Sequence, residues 1–209
     1  MSARLDADEF IAWVARRTAE ATRSDDRLLL GLTGPPGSGK STLAERIRNE
    51  LGGIVAPMDG FHLPNAALDR LGRRHRKGAP DTFDALRFTE RVERLASGAG
   101  DVEWPTFDRR QDEPIECGVT VPADANPVIV EGNYLLLDDE PWVRIRPLLD
   151  DIAYLDLDAP TRTDRLVARH VAFGRTPTDA ARFVRESDEM NTASIERGLV
   201  RASIVVDVR

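Results

Sequence analysis

The stretch that decides the fold is residues 28–42, with the sequence LLLGLTGPPGSGKST. Its first five residues are mostly apolar and can fill a buried strand. They lead into a loop that contains three glycines and two prolines and ends in Gly39-Lys40-Ser41-Thr42. So much backbone freedom beside one lysine and two hydroxyl side chains predicts a loop that holds a ligand.

The loop from Gly34 to Ser41 fits the phosphate-binding pattern G-x-x-x-x-G-K-[ST] at every fixed position. Its glycines allow N–H groups to turn inward around a phosphate, and the helix that follows favours an anion at its first turn. Lys40 is expected to reach the β- and γ-phosphates, and the Ser41 hydroxyl to ligate Mg²⁺. A flexible linker is the alternative, but the strand before and the helix after are the context that the motif requires. The predicted ATP-binding residues of this loop are Gly34, Pro35, Pro36, Gly37, Ser38, Gly39, Lys40, Ser41 and Thr42.

Composition limits the class of protein. The 209 residues suit one domain over residues 1–209, and 29 basic against 36 acidic side chains give a net charge of −7. This mild acidity argues against a general nucleic-acid-binding surface. The single cysteine excludes an internal disulfide and fits a reducing compartment, and no apolar run approaches the roughly 20 residues that span a bilayer. We therefore expect a cytoplasmic protein without a membrane or nucleic-acid partner.

Short apolar runs alternate with helical patterns along the chain, which is typical of βαβ units and a mainly parallel sheet. The predicted core strands are residues 28–32, 54–56, 127–130, 152–155 and 203–206, with two more short strands at 102–104 and 115–121. The predicted helices are residues 6–23, a helix from Lys40, one around 88–95, one from about Thr161 and a long one from about Thr178. Thr161 and Asp164 have capping-box spacing. Ligands of such sheets bind at the carboxyl ends of the strands, so the loops after the core strands should meet there.

Two acidic residues follow predicted strands at that edge. Asp59 comes just after the second strand, where a carboxylate can accept the proton of an attacking substrate hydroxyl. Glu131 ends the third strand, where many P-loop enzymes use an acid to hold Mg²⁺. The alternatives are an ordinary Asp-Gly turn for Asp59 and a solvent-facing strand end for Glu131.

Four segments in this order, GPPGSGKST, DGFHLPN, RKGAPDTFD and VEGNYLL, resemble the superfamily of uridine kinase, phosphoribulokinase and type I pantothenate kinase. The resemblance covers residues 28–197 and is greatest to a short bacterial group of nucleoside- or fructose-kinase-like proteins. It implies an α/β fold of the P-loop NTPase type, a three-layer α/β/α arrangement with a mainly parallel central sheet and a helical lid at about 160–198. It also implies an acceptor-binding excursion at about 60–122 and a possible homodimer. Asp59 would be the catalytic base and Glu131 a Mg²⁺-associated carboxylate. Type I pantothenate kinases are longer, so pantothenate itself is not carried over as the acceptor.

The excursion supplies the residues predicted to bind the acceptor. Related families have a P-x-[YF]-[DS] stretch in one wall of their acceptor pocket, which implicates Phe107 and Asp108 here, with Arg109 behind them. His62 and Lys77 complete the predicted acceptor site. Lys77 belongs to a basic cluster, residues 73–77, for which the alternative is a solvated loop balanced by Asp81 and Asp84. Phe107 could equally be a core residue.

The predicted lid carries Arg162, Arg165 and Arg169 on one helical face. Arg165 and Arg169 are expected to contact ATP, and Arg169 to join Lys40 and Asp59 as a catalytic residue. A solvated stripe is the alternative. The three histidines are too scattered for a metal site.

Together these patterns predict an ATP-dependent kinase that uses Mg²⁺ and transfers the γ-phosphoryl group to a hydroxyl of a small metabolite. The acceptor could be a nucleoside, a sugar or a pantothenate-like alcohol. The alternative function is a regulatory P-loop NTPase that hydrolyses ATP without such an acceptor. A GTPase is disfavoured because the sequence has no N-K-x-D segment.

Overall fold

A six-stranded parallel sheet carries the predicted phosphate loop. The computed structural model describes residues 3–24 and 26–208. In spatial order, the strands are β1 (Ala3–Asp6), β8 (Ile204–Asp207), β7 (Asp151–Asp156), β2 (Leu29–Thr33), β6 (Val128–Glu131) and β3 (Ile54–Pro57). Every neighbouring pair in this sheet runs parallel. All six carboxyl ends therefore lie along the same edge.

Helices and a β-hairpin surround this sheet. The helices are α1 (Ala7–Arg23), α2 (Lys40–Leu51), α3 (Asn65–Arg70), α4 (Ala85–Ala96), α5 (Ala159–Ala172), α6 (Pro177–Phe183) and α7 (Glu189–Glu196). The hairpin pairs β4 (Val102–Asp108) with β5 (Glu113–Val121) as a separate antiparallel sheet. Within the described residues, no helix is both long and apolar enough to cross a membrane.

Both faces of the central sheet are buried, because side chains of one strand point alternately to opposite faces. In β2, Leu29 packs into the core shared with α4 and the hairpin, whereas Leu30 and Leu32 pack into the core shared with α1 and α2. In β6, Val128 packs into the first of these cores and Ile129 into the second. The arrangement confirms the predicted three-layer α/β/α fold.

The N-terminal strand β1 was not predicted. Its four residues are largely exposed and show no buried alternation that would reveal a strand. It pairs with β8, and its Arg4 guanidinium forms ion pairs with Asp156, at 2.7 Å, and with Asp207. The helix predicted at residues 6–23 is α1, with Asp6 as its N-cap in a complete capping box with Glu9.

The predicted start of α5 at Thr161, and its capping box with Asp164, are wrong. The helix begins at Ala159, and its cap is Asp158, whose carboxylate accepts from the Thr161 N–H at 2.9 Å. Proline in the first turn suits this position because its missing N–H needs no partner there.

Other helix and strand boundaries also differ from the predicted ones. The long helix predicted from Thr178 starts at Pro177 and is interrupted by a π-helical turn at Val184–Asp188 before α7. The two short strands predicted at 102–104 and 115–121 extend to 102–108 and 113–121, because cross-strand pairing continues past Pro105. The region 60–82, which is part of the predicted acceptor-binding excursion, contains α3 and several 3₁₀ turns.

Phe88 on α4 is the test of the core beneath the hairpin. It is fully buried, and its ring centroid lies 5.0 Å from that of Phe61 and 5.9 Å from that of Trp104. Phe88→Ala should lower the free energy of unfolding by about 3–5 kcal/mol, since it leaves a cavity among these rings. The control Leu86→Ala, on the exposed face of the same helix, should change it by about 0.5 kcal/mol or less. Urea unfolding measures both, and equal losses would contradict this packing.

Candidate active site

Three neighbouring strands bring the candidate residues to one edge of the sheet. The phosphate loop follows β2, Glu131 is the last residue of β6, and Asp59 lies just beyond β3. β6 lies between β2 and β3, so Glu131 stands between the loop and Asp59. The predicted convergence of these loops is confirmed.

The phosphate loop uses its glycines as the motif requires. Gly34, Gly37 and Gly39 have φ of +144°, +79° and +93°, in the region that side chains disfavour. A Cβ on Gly34 would lie 2.7 Å from the Leu155 carbonyl oxygen, so a side chain has no room there. Pro35 and Pro36 are buried, while Ser41 and Thr42 are exposed in the first turn of α2.

Lys40 is the buried cation of the loop, only 6% exposed. Its ammonium group donates to the Gly34 carbonyl at 2.7 Å and to the Pro35 carbonyl at 3.0 Å. Burial lowers the pKa of Lys40, and the negative charge of Glu131 opposes this shift. An ammonium group held by neutral carbonyls is suited to bind a phosphate that enters the loop.

Glu131 and Ser41 are the candidate metal ligands. Burial raises the pKa of Glu131, as does the nearby charge of Asp59, while Lys40 and a hydrogen bond from Ser41 oppose the shift. A hydroxyl and a carboxylate are the oxygen ligands that Mg²⁺ prefers, and Mg²⁺ in kinases usually completes its shell with phosphate oxygens and waters. In the described part of the chain, no group of three or more His, Cys, Asp or Glu side chains is placed to hold a metal by itself.

Two further polar groups fit a triphosphate in this loop. The Ser38 hydroxyl is buried and has no hydrogen-bond partner within the described residues. Arg169 is partly buried, and its guanidinium likewise lacks a hydrogen bond to any described residue. Burial lowers the pKa of Arg169, and the positive charge of Arg109 lowers it further. Unpartnered donors around a buried ammonium group are suited to an anion with several oxygen atoms.

The first half of α5 packs directly on the phosphate loop. A Cβ on Gly37 would lie 2.9 Å from the Arg162 carbonyl oxygen. The Arg162 side chain is almost fully buried and contacts Glu189 and Thr192 at 3.3 and 3.4 Å. Arg165 is exposed, and one of its nitrogens lies 3.7 Å from a Cβ built on Gly39. A solvated stripe therefore does not describe Arg162 or Arg169.

Asp59 forms an ion pair that the sequence did not reveal. Arg109 Nη2 donates to Asp59 Oδ2 at 2.8 Å, with the two side chains 43% and 31% exposed. Arg109 was predicted to stand behind Phe107 and Asp108, but it reaches across to the β3 edge. Fifty positions separate the pair in sequence, and no local pattern connects them. This contact also shows that the hairpin end faces the acidic residue.

His62 and Phe107 form an aromatic wall beside Asp59. His62 Nδ1 lies 2.8 Å from the Asp59 carbonyl oxygen, and its ring centroid lies 3.9 Å from that of Phe83 and 4.8 Å from that of Phe107. Burial lowers the pKa of His62, which favours a neutral ring. Lys77 Nζ lies 4.8 Å from the Phe107 ring centroid. Four residues of the predicted acceptor site therefore lie close to Asp59 or to its neighbours: His62, Lys77, Phe107 and Arg109.

Several charges of the excursion are balanced within the chain. Lys77 donates to Asn65 Oδ1 at 2.7 Å and to the Asp112 carbonyl at 2.6 Å. Asp108 Oδ1 accepts from the N–H groups of the next turn, which lowers the pKa of Asp108. Asp81 forms ion pairs with Arg73 and Arg76, as predicted, whereas the other suggested counter-ion, Asp84, caps α4 instead.

The parallel sheet, the glycine loop after its second strand and the buried lysine define a P-loop nucleoside-triphosphate-binding protein. Two sequence relatives narrow this class. "Uncharacterized protein YggC" of Escherichia coli (strain K12) is 37% identical over 189 residues, which cover 87% of this chain and 78% of that protein. "Putative uridine kinase C227.14" of Schizosaccharomyces pombe is 34% identical over 224 residues, which cover 99% of this chain and 94% of that protein.

Solved structures agree with these relatives. A "putative fructose transport system kinase" from Silicibacter sp. TM1040 has a TM-score of 0.75 at 32% identity and covers 92% of this chain and 98% of its own. YFH7 from Saccharomyces cerevisiae, described as "a putative P-loop containing kinase with a circular permutation", shares the fold with a TM-score of 0.80 at 20% identity, over 98% of this chain and 99% of its own. No family model matches the chain. The chain belongs to the uridine kinase-like family of P-loop kinases.

The contact between Gly37 and α5 predicts a sharp effect of a small substitution. Gly37→Ala should weaken ATP binding by about tenfold or more, because the new methyl group pushes the loop away from the Arg162 carbonyl. Gly72→Ala is the matched control, since Gly72 also has a positive φ, +66°, but has open space around it. Titration calorimetry with a non-hydrolysable ATP analogue measures both variants. Unchanged affinity in Gly37→Ala would argue against a nucleotide in this loop.

Proposed function

We propose that the chain transfers the γ-phosphoryl group of ATP to a hydroxyl of a small metabolite. The observation that carries the proposal is the position of Asp59, beside Glu131 and the phosphate loop at the carboxyl ends of adjacent strands. The charges of Asp59 and Glu131 both act on the buried Lys40 ammonium, so the three groups share one electrostatic site. The names of two relatives, which include uridine kinase and fructose transport system kinase, support the phosphotransferase class.

Residues of the phosphate loop would hold ATP. Lys40 would exchange its two loop carbonyls for oxygens of the β- and γ-phosphates, and the inward N–H groups would bind the same anion. Ser41 and Glu131 would hold Mg²⁺, which when bound supplies positive charge that stabilises the transferring phosphoryl group.

Asp59 would act as the general base. A hydroxyl beside its carboxylate gives up its proton to the carboxylate as the hydroxyl oxygen bonds to the γ-phosphorus. The bond between that phosphorus and the β–γ bridging oxygen breaks, and ADP leaves. The aromatic wall of His62 and Phe107 would line the space for the rest of the acceptor.

Two arginines of α5 would complete the ATP-binding site. Arg169 has unpartnered donors and lies close enough to Asp59 and Glu131 for their charges to act on it. Arg165 lies near Gly39 at the start of α2. Both are placed to bind phosphate oxygens and to help exclude water, which would otherwise compete with the acceptor hydroxyl.

Substitution of the proposed base tests the phosphotransfer step. Asp59→Asn should keep ATP affinity within a few-fold and reduce acceptor-dependent ADP release by about 10²–10⁴-fold, since the amide cannot take the proton. The control is Asp69→Asn, an exposed acid on α3 outside the site. A coupled ADP-release assay across nucleosides, sugars and vitamin precursors measures the rate. An undiminished rate in Asp59→Asn would remove this residue from the mechanism, and ADP release that ignores every acceptor would favour a regulatory NTPase.

Lys40→Ala should reduce acceptor-dependent turnover by about 10²–10³-fold, because the γ-phosphate loses its buried cation in the transition state. Arg46→Ala serves as the control, since Arg46 lies on the exposed side of the same helix and forms ion pairs with Asp8 and Glu50. The same assay, run with saturating ATP, measures both variants. Full activity in Lys40→Ala would contradict the role of the loop.

A further inference from the structure

We infer that the acceptor carries an anionic group, a phosphate or a carboxylate, which binds Arg109 and frees Asp59 for catalysis. This inference rests on the proposed kinase function and names the class of acceptor at the same site. It starts from the ion pair between Arg109 and Asp59 at 2.8 Å.

Arg109 has N–H donors that are not used by any described residue. A guanidinium carries five N–H donors in a planar fork, and Arg109 uses one of them on Asp59. Among the described residues it forms no other side-chain hydrogen bond, and its side chain is 43% exposed. The remaining donors suit two oxygens of one phosphate or carboxylate, which is the geometry that arginine binds best.

Four other cations of the excursion already have partners in the chain. Lys77 and Arg74 bind Asp112, and Arg73 and Arg76 bind Asp81. Lys40 is held in the phosphate loop instead. Arg109 differs from these cations, because its ion-pair partner among the described residues is a residue with a proposed chemical role.

The ion pair between Arg109 and Asp59 conflicts with the proposed role of Asp59 as general base. Asp59 Oδ2 accepts a hydrogen bond from Arg109, so this oxygen is already engaged. After Asp59 takes the hydroxyl proton it becomes neutral, and Arg109 loses its counter-ion while the positive charge of Arg169 remains nearby. An anionic group on the acceptor resolves both difficulties, because it draws Arg109 away from Asp59 and supplies the counter-ion.

Matched acceptor pairs that differ in one anionic group test the inference. Suitable pairs are fructose and fructose 6-phosphate, uridine and uridine 5′-monophosphate, and pantothenol and pantothenate. In the pair that the enzyme phosphorylates, we expect the anionic member to have kcat/KM higher by about tenfold or more. Arg109→Gln should abolish this preference, mainly by raising KM for the anionic member, and Arg109→Lys should retain part of it. Arg110→Gln is the control, because Arg110 is the exposed neighbour outside the ion pair.

The possible results distinguish failure of this inference from failure of the proposed kinase function. Equal or better turnover of the neutral member would overturn the inference and leave the kinase function intact. An equal fall in kcat for both members in Arg109→Gln would also overturn it, since Arg109 would then act on the transferring phosphoryl group. ADP release that is independent of every acceptor would instead count against the kinase function. If no pair is turned over, calorimetry with the same compounds decides: binding of the anionic member that depends on Arg109 supports the inference, and its absence overturns it.

Discussion

The constraint on which this structure depends is the parallel pairing of β2, β6 and β3. Because the three strands run in the same direction, the segments that leave them emerge at one edge of the sheet. That edge places a buried ammonium group, a buried carboxylate and a half-exposed carboxylate within each other's electric fields. Burial opposes charge on Lys40 and on Glu131, and their mutual attraction offsets part of that cost. Under the proposed function, phosphate and metal charges that enter this site would further stabilise its buried charges.

Much of the fold was accessible from the sequence because its signals are local. The phosphate loop needs glycine at fixed positions, and the strand and helix around it follow from apolar runs and helical spacing. The placement of Asp59 and Glu131 followed from a general property of parallel sheets. Strand β1 was missed because its four residues are exposed and lack alternation. The start of α5 was misplaced because Asp158 and Thr161 both fit a helix terminus, and only the backbone decides between them.

The candidate site was only partly predictable because some of its contacts are long-range. The hairpin folds back until Trp104 Nε1 donates to the Pro57 carbonyl at 2.9 Å, which fixes the hairpin against the end of β3. This anchor brings Arg109 to Asp59, and neither residue carries a local signal of that meeting. Lys77 likewise gives no sign in the sequence that Asn65 and Asp112 take its hydrogen bonds. The sequence suggested these residues, and tertiary packing determines what each of them touches.

The close contact between Gly37 and α5 has a mechanical consequence. The N-terminal half of α5, around Arg162, packs between the phosphate loop and α7, so this part of the helix cannot move independently of them. Any opening and closing must pivot farther along the chain. Gly174, with a φ of +96° and open space around it, and the wider π-helical turn at Val184–Asp188 are the points where the backbone can yield. In any such motion of the proposed lid, the arginines near Arg162 would keep their position relative to the phosphate loop.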